Sequence, residues 1–198
     1  MKKLILTMVT SVVITLAVFA QAAGDYQSIA SGKWNDPANW ETFDGNNWVS
    51  ATSYPGKDPG TGAVNISAFS AIKITANVPY QVASLWIHSY FDEWTYESYY
   101  GILTFSAEST ISLAVSGNID GYGELNVEDR LGAKSHMLAI GGSFYGLLNA
   151  INEDDNLNVI FNSTVSNTTI SGGTFQDVTF NGSLFSVYGM TINGRVTL

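Results

Sequence analysis

His88 and His136 are the only imidazoles in the chain, and they lie 48 residues apart. A metal site or an acid–base pair built from them requires the fold to bring both rings together. A coiled chain of stacked repeats would set them near two repeats apart, on one face but out of hydrogen-bond reach, so ordinary, partly exposed histidines are expected. There is no cysteine, which excludes thiol catalysis and thiolate metal ligands. No Gly-x-Ser-x-Gly elbow, phosphate-binding Gly-rich Lys-Ser/Thr loop or His-Glu-x-x-His pair occurs. The acidic run Asn152-Glu-Asp-Asp-Asn156 offers hard oxygen ligands, but its spacing fits no calcium loop, and a solvated turn is the simpler reading. Arg130 beside Glu128 and Asp129 reads the same way. The expectation is no catalytic residue, no metal and no cofactor.

The aromatic residues say more. Ser89 to Gly101, SYFDEWTYESYYG, carries Tyr90, Phe91, Trp94, Tyr96, Tyr99 and Tyr100 among Asp92, Glu93 and Glu97. Flat apolar rings beside carboxylates suit a sugar or a protein partner, so Tyr90, Trp94, Tyr96, Tyr99 and Tyr100 are the expected binding residues. The competing reading is a two-stranded flap whose rings pack back on the body. A second group, Trp34, Trp40 and Trp48, puts three of the five tryptophans into the loop-like stretch SGKWNDPANWETFDGNNW.

The elements that hold these groups are strands. Lys2 and Lys3, the apolar run Leu4 to Ala20 and the small residues Ala20 and Ala22 form a signal peptide expected to be cleaved after Ala22. A retained membrane anchor is the alternative; Thr7, Thr10, Ser11 and Thr15 dilute it. Of eight Lys and Arg, removal of Lys2 and Lys3 leaves six against 17 Asp and Glu, a formal charge of −11 for the mature chain. With no basic patch, nucleic acid and anionic membranes are disfavoured as partners.

Beyond the leader no run of ten residues has helical periodicity. Short β-branched segments such as AIKIT, GILTF, ELNV and LNVIF alternate with Gly, Asn and Ser turns, which predicts an all-β chain. An apolar residue followed by small turn residues recurs at Val115, Ile140, Phe161, Ile170, Phe180 and Ile192, with steps of 25, 21, 9, 10 and 12 residues. Paired short steps give 19 and 22, so a repeat of about 20 to 25 residues fits a right-handed parallel β-helix of stacked rungs. An antiparallel β-sandwich is the alternative, weakened by the scarcity of two-residue hairpin signals. Three regions follow: 1–22 signal peptide, 23–63 N-terminal cap, 64–198 solenoid. The open front end must be covered, and Trp34, Trp40 and Trp48 are expected to bury on it as that cap. The strand-like ending GRVTL has no polar cover, from which a longer parent chain or a covering partner is expected. Four Asn-x-Ser/Thr triplets, at Asn65, Asn162, Asn167 and Asn181, read as turn composition rather than as glycan sites.

SGKWNDPANW, the later VSGNI and the Phe-Asn-Gly turns together resemble the β-helical modules of secreted Gram-negative surface proteins. The resemblance runs from about Tyr26 to Ile192. It implies an exported or outer-surface, adhesin-like module that binds a glycan, matrix polymer or surface protein without turnover, and a mature chain that does not span a membrane. Many such proteins carry a C-terminal sorting domain; none is read here up to Leu198, from which a truncated or stand-alone relative is the expectation. A polysaccharide lyase or hydrolase on the same fold is the alternative. It would need carboxylates from adjacent rungs to converge in a cleft.

Overall fold

The structure is a computed structural model that describes residues 21–128, 135–145, 157–163, 168–182 and 185–198. Residues 1–20 of the expected leader, the acidic run at 152–156, Arg130 and Asn167 fall outside those residues. The chain is a parallel β-solenoid, and each coil visits three faces in turn. Strands Tyr26–Ser28, Ala63–Ile66, Ser84–Ile87 and Ile119–Gly121 stack in parallel on the first face. Single bridges at Phe144 carry this ladder to Thr168–Ser171 and Phe185–Tyr188. The second face stacks Gly32–Lys33, Ala71–Ile74, Ile102–Phe105 and Glu124–Val127. On the third, Val82 bridges to Ser112–Val115, followed by His136–Ile140, Leu157–Phe161, Asp177–Phe180 and Val196–Thr197. Parallel pairing along all three faces excludes the antiparallel sandwich.

Alternation drives this arrangement. In Ala71–Ile74 and Ile102–Phe105 every second side chain is buried, and the register places like on like: Ile72, Leu103 and Leu125 form one column, Ile74, Phe105 and Val127 the next. On the third face Leu113, Leu138, Val159 and Val178 continue the pattern, each no more than 1% exposed. Each such aliphatic side chain contributes about 1.5–3 kcal/mol by burial. Toward the C-terminal end the core turns aromatic, with Phe161 stacked on Phe180 at 5.6 Å and Phe144 edge-on to Phe175 at 5.5 Å.

The recurring turn units are the corners of the coil. Val115, Ile140, Phe161 and Phe180 stand in one column of the third face, so the steps of 25, 21 and 19 are true rung lengths there. Ile192 belongs elsewhere: it pairs with Phe175 on a separate short ladder, and Ile170 pairs with Val187. At the corners Asn181 donates its amide to the Asn162 side-chain oxygen at 2.8 Å, an asparagine ladder that accounts for two of the four triplets as structure. A Cβ on Gly141 would overlap the Ser116 carbonyl of the rung below, so that corner admits only glycine.

Stacking starts earlier than Val64. Tyr26–Ser28 and Gly32–Lys33 already pair in parallel with the next coil, so the first partial rung lies inside the segment expected to be cap alone. The buried Asp25 carboxylate ties the two coils, accepting from Ala63 N at 2.7 Å and Ala22 N at 2.8 Å. The chain then detours. Trp40–Phe43 pairs antiparallel with Tyr26–Ser28, and Trp48–Ser50 pairs antiparallel with Trp40–Phe43, on the side away from Ala63–Ile66. The detour occupies the front edge of Tyr26–Ser28, which is thereby paired rather than open to strand addition.

Candidate functional site

The tryptophans divide. Trp34 is 1% and Trp40 0% exposed, their rings edge-on at 5.1 Å. Trp34 Nε1 donates to the Pro55 carbonyl and Trp40 Nε1 to the Trp34 carbonyl, both at 2.8 Å, so neither indole is left unpaired on burial. Asp36 accepts from Ala38 N and starts the 3-10 turn Pro37–Asn39 that places Trp40 against Trp34. Trp48 departs from the expectation that all three indoles are buried. It is half-exposed, lies against Phe43 at 5.4 Å, and stands on the outer side of the first face.

The aromatic segment forms an antiparallel hairpin, Ser89–Asp92 with Glu97–Tyr100, inserted between the first and second faces of one coil. Its loop is set by Asp92, whose Oδ1 accepts from Trp94 N at 2.8 Å and whose carbonyl accepts from Tyr96 N at 2.8 Å. Backbone donation to the carboxylate, from Trp94 N first and also from Thr95 N, holds the Asp92 carboxyl below its ordinary range. Tyr96 closes the loop in the left-handed region at φ 58°, the only non-glycine residue there among those described. For a side chain that is not glycine this costs about 1–2 kcal/mol.

The rings of the hairpin divide between those that pack on one another and on Phe69 and those that project into solvent. Tyr90 and Tyr99 stack on each other and lean on Phe69, at 5.6 and 5.2 Å, so they brace the hairpin. Tyr99 also donates its hydroxyl to Glu97 at 2.8 Å, and this bond raises the phenol above its ordinary range. Tyr100 is half-buried at the base. Trp94 and Tyr96 project, 94% and 80% exposed.

The histidines are not a pair. His136 lies inside on the third face, against Phe105 at 5.5 Å, while His88 points outward beyond the first face. Burial lowers both imidazoles below their ordinary range. The expectation of a partly exposed residue therefore fails for His136, which the alternating pattern of His136–Ile140 turns inward with Leu138 and Ile140. No cluster of three metal-ligating side chains is present among the described residues. Glu128, read from sequence as part of a solvated turn, instead binds Lys73 at 2.9 Å and accepts from Ala107 N, which holds its carboxyl below the usual range.

Sequence reasoning missed a groove on the outside of the first face. Its central column is Gln27, Asn65, Trp86 and Asp120, held side by side by the register of four parallel strands. Tyr145 follows Phe144, which bridges Ile119, and so occupies the next step of the column. The groove has a volume of ≈ 510 Å³, with Trp48 at its rim. A second hollow of ≈ 470 Å³ shares Gln27, Asn65 and His88 and reaches Ser89 at the foot of the hairpin. His88 rests 5.7 Å from the Trp86 ring and its Nε2 meets Asn65 Oδ1 at 3.4 Å. Tyr145 hydrogen-bonds the Asp120 carboxylate; burial first, then that bond, raises its hydroxyl above the ordinary phenol range.

No family model, curated protein or solved structure matches the chain. Among the described residues no helix is long and apolar enough to cross a membrane.

Proposed function

We propose that the chain is an exported, non-enzymatic β-solenoid that binds a glycan, matrix polymer or surface protein at the outer face of a bacterial cell. The hairpin at Ser89–Tyr100 is its contact element. One observation carries this reading: Trp94 and Tyr96 stand almost fully in solvent on a braced hairpin, and Tyr96 does so at an unfavourable φ. Large rings held out of the core at a cost in stability point to a contact made with another molecule. Export rests on the leader-like Met1 to Ala22, and the surface location on the resemblance carried by SGKWNDPANW.

Binding without turnover is favoured by where the carboxylates lie. Asp25 and Asp120 line the groove, but Asp25 directly precedes Tyr26–Ser28 and Asp120 lies on Ile119–Gly121, strands three steps apart, about 14 Å at normal strand spacing. That exceeds the roughly 5–9.5 Å that glycoside hydrolysis uses, and Asp25 is occupied with two backbone amides. The test is retention of labelled protein on a glycan array and on intact bacterial surfaces. Trp94→Ala combined with Tyr96→Ala should sharply lower retention on at least one of these surfaces with an unchanged melting temperature; full retention by that double variant on all of them would remove the hairpin from the account.

A further inference from the structure

The groove on the first face is chemically distinct from the hairpin and lies on the body of the solenoid. We infer that it is a second binding site, for an uncharged polysaccharide chain lying along the solenoid axis across successive rungs. This goes beyond the hairpin reading and does not depend on it.

Three features select that ligand. The first is repetition: Gln27, Asn65, Trp86, Asp120 and Tyr145 occupy consecutive steps of one outward column. At normal strand spacing the column is about 19 Å long, an extended track suited to an extended polymer rather than to a compact small molecule. The second is the mixture of surfaces. Trp86 supplies a flat apolar face at the centre, while the carboxamides of Gln27 and Asn65 and the carboxylate of Asp120 flank it with donors and acceptors. A pyranose presents both kinds of surface, C–H faces and a rim of hydroxyls, and a site that combines an indole with amides and a carboxylate matches both. Trp48 at the rim adds a second indole from the N-terminal detour.

The third feature is charge. No Lys or Arg lines the groove, Asp120 presents its carboxylate there, and the whole chain carries a formal charge of −9. A uronate or a sulfated sugar would meet repulsion with no cation to offset it, so the site discriminates in favour of neutral sugars. The groove also narrows the role of His88. Its ring, half-buried and held neutral by burial, closes one side of the track between Trp86 and Asn65 without adding positive charge at neutral pH.

The experiment is affinity electrophoresis and calorimetric titration of the mature chain against neutral β-glucan, mannan and starch, with polygalacturonate and heparin as acidic comparators. Wild type should bind at least one neutral polymer and neither acidic one. Trp86→Ala should weaken that binding about 30-fold, as loss of a central aromatic anchor does. Ser84→Glu, which changes only an outward, half-buried position beside the column, should weaken it as well, so a folding defect in one variant does not decide the outcome. Trp94→Ala with Tyr96→Ala should leave it intact. Absence of binding to every neutral polymer, equal binding to the acidic ones, or wild-type affinity in both groove variants would overturn the site. If binding is lost only in the hairpin double variant, the hairpin reading stands and this one fails.

Discussion

Replacing Trp34 by Ala tests how the front of the solenoid is held. The indole is 1% exposed, lies edge-on to Trp40 at 5.1 Å and donates to Pro55 O at 2.8 Å, while its own backbone N donates to Lys73 O of the next coil at 2.8 Å. The substitution keeps the backbone bond and removes the ring. It opens a cavity beneath Trp40 and leaves the Pro55 carbonyl without its donor, so a loss of about 3–5 kcal/mol is expected. With a urea m value of about 1–3 kcal/mol/M, the midpoint should fall by at least about 1 M. Trp48→Ala is the control: a half-exposed ring with Phe43 as its ring partner should cost less than about 1.5 kcal/mol. Because coils stack as near neighbours, hydrogen exchange in the Trp34 variant should rise first over Tyr26–Ser50 and leave the third-face strands Ser112–Val115, Leu157–Phe161 and Asp177–Phe180 protected. A midpoint within about 0.3 M of wild type, or equal losses for the two variants, would refute the assignment of the front-end stability to Trp34 and Trp40.

Three further outcomes follow from particular residues. Tyr96→Gly relieves the positive φ and should leave urea stability equal or slightly raised while retention on the partner surface is lost; a clear loss of stability would contradict the strain argument. Burial lowers His88 and His136, so the unfolded chain takes up protons before the folded one does. Stability should therefore fall as pH drops from about 6.5 toward 5, above the range where carboxylates titrate, and His136→Leu should flatten that slope in urea titrations at stepped pH. Gly141→Ala drives a Cβ into the Ser116 carbonyl and should lower the thermal midpoint by more than Gly60→Ala, which has open space around it but a positive φ and should cost about 1–2 kcal/mol at most.

The solenoid was legible in the sequence wherever its rungs were free of insertions. Val115, Ile140, Phe161 and Phe180 recur at near-constant steps because the corners between them are short, and they do form one column. The first face hid its column because two detours interrupt it. Tyr26 to Val64 spans 38 residues and Leu85 to Ile119 spans 34, so a scan for one period passes over them. The signal that would have exposed the groove is the hairpin itself. Excising the thirteen residues Ser89 to Gly101 shortens the second step to 21, equal to the step from Val64 to Leu85, and brings Asp120 beside Trp86. Trp48 was misplaced for a related reason. Composition marks an indole as large and apolar, but only the antiparallel register of Trp48–Ser50 decides which side of the sheet it takes.

The central proposal is that this chain binds through rings that face outward from the solenoid, Trp86 in the groove and Trp94 and Tyr96 on the hairpin. Retention of the mature protein on immobilised neutral polysaccharide and on intact bacterial surfaces, compared with a Trp86→Ala, Trp94→Ala, Tyr96→Ala triple variant of equal melting temperature, tests it directly. The account predicts that wild type is held, that no soluble oligosaccharide is released, and that the triple variant washes off both supports. Retention of the triple variant at wild-type level, or release of oligosaccharide by the wild type, would contradict it.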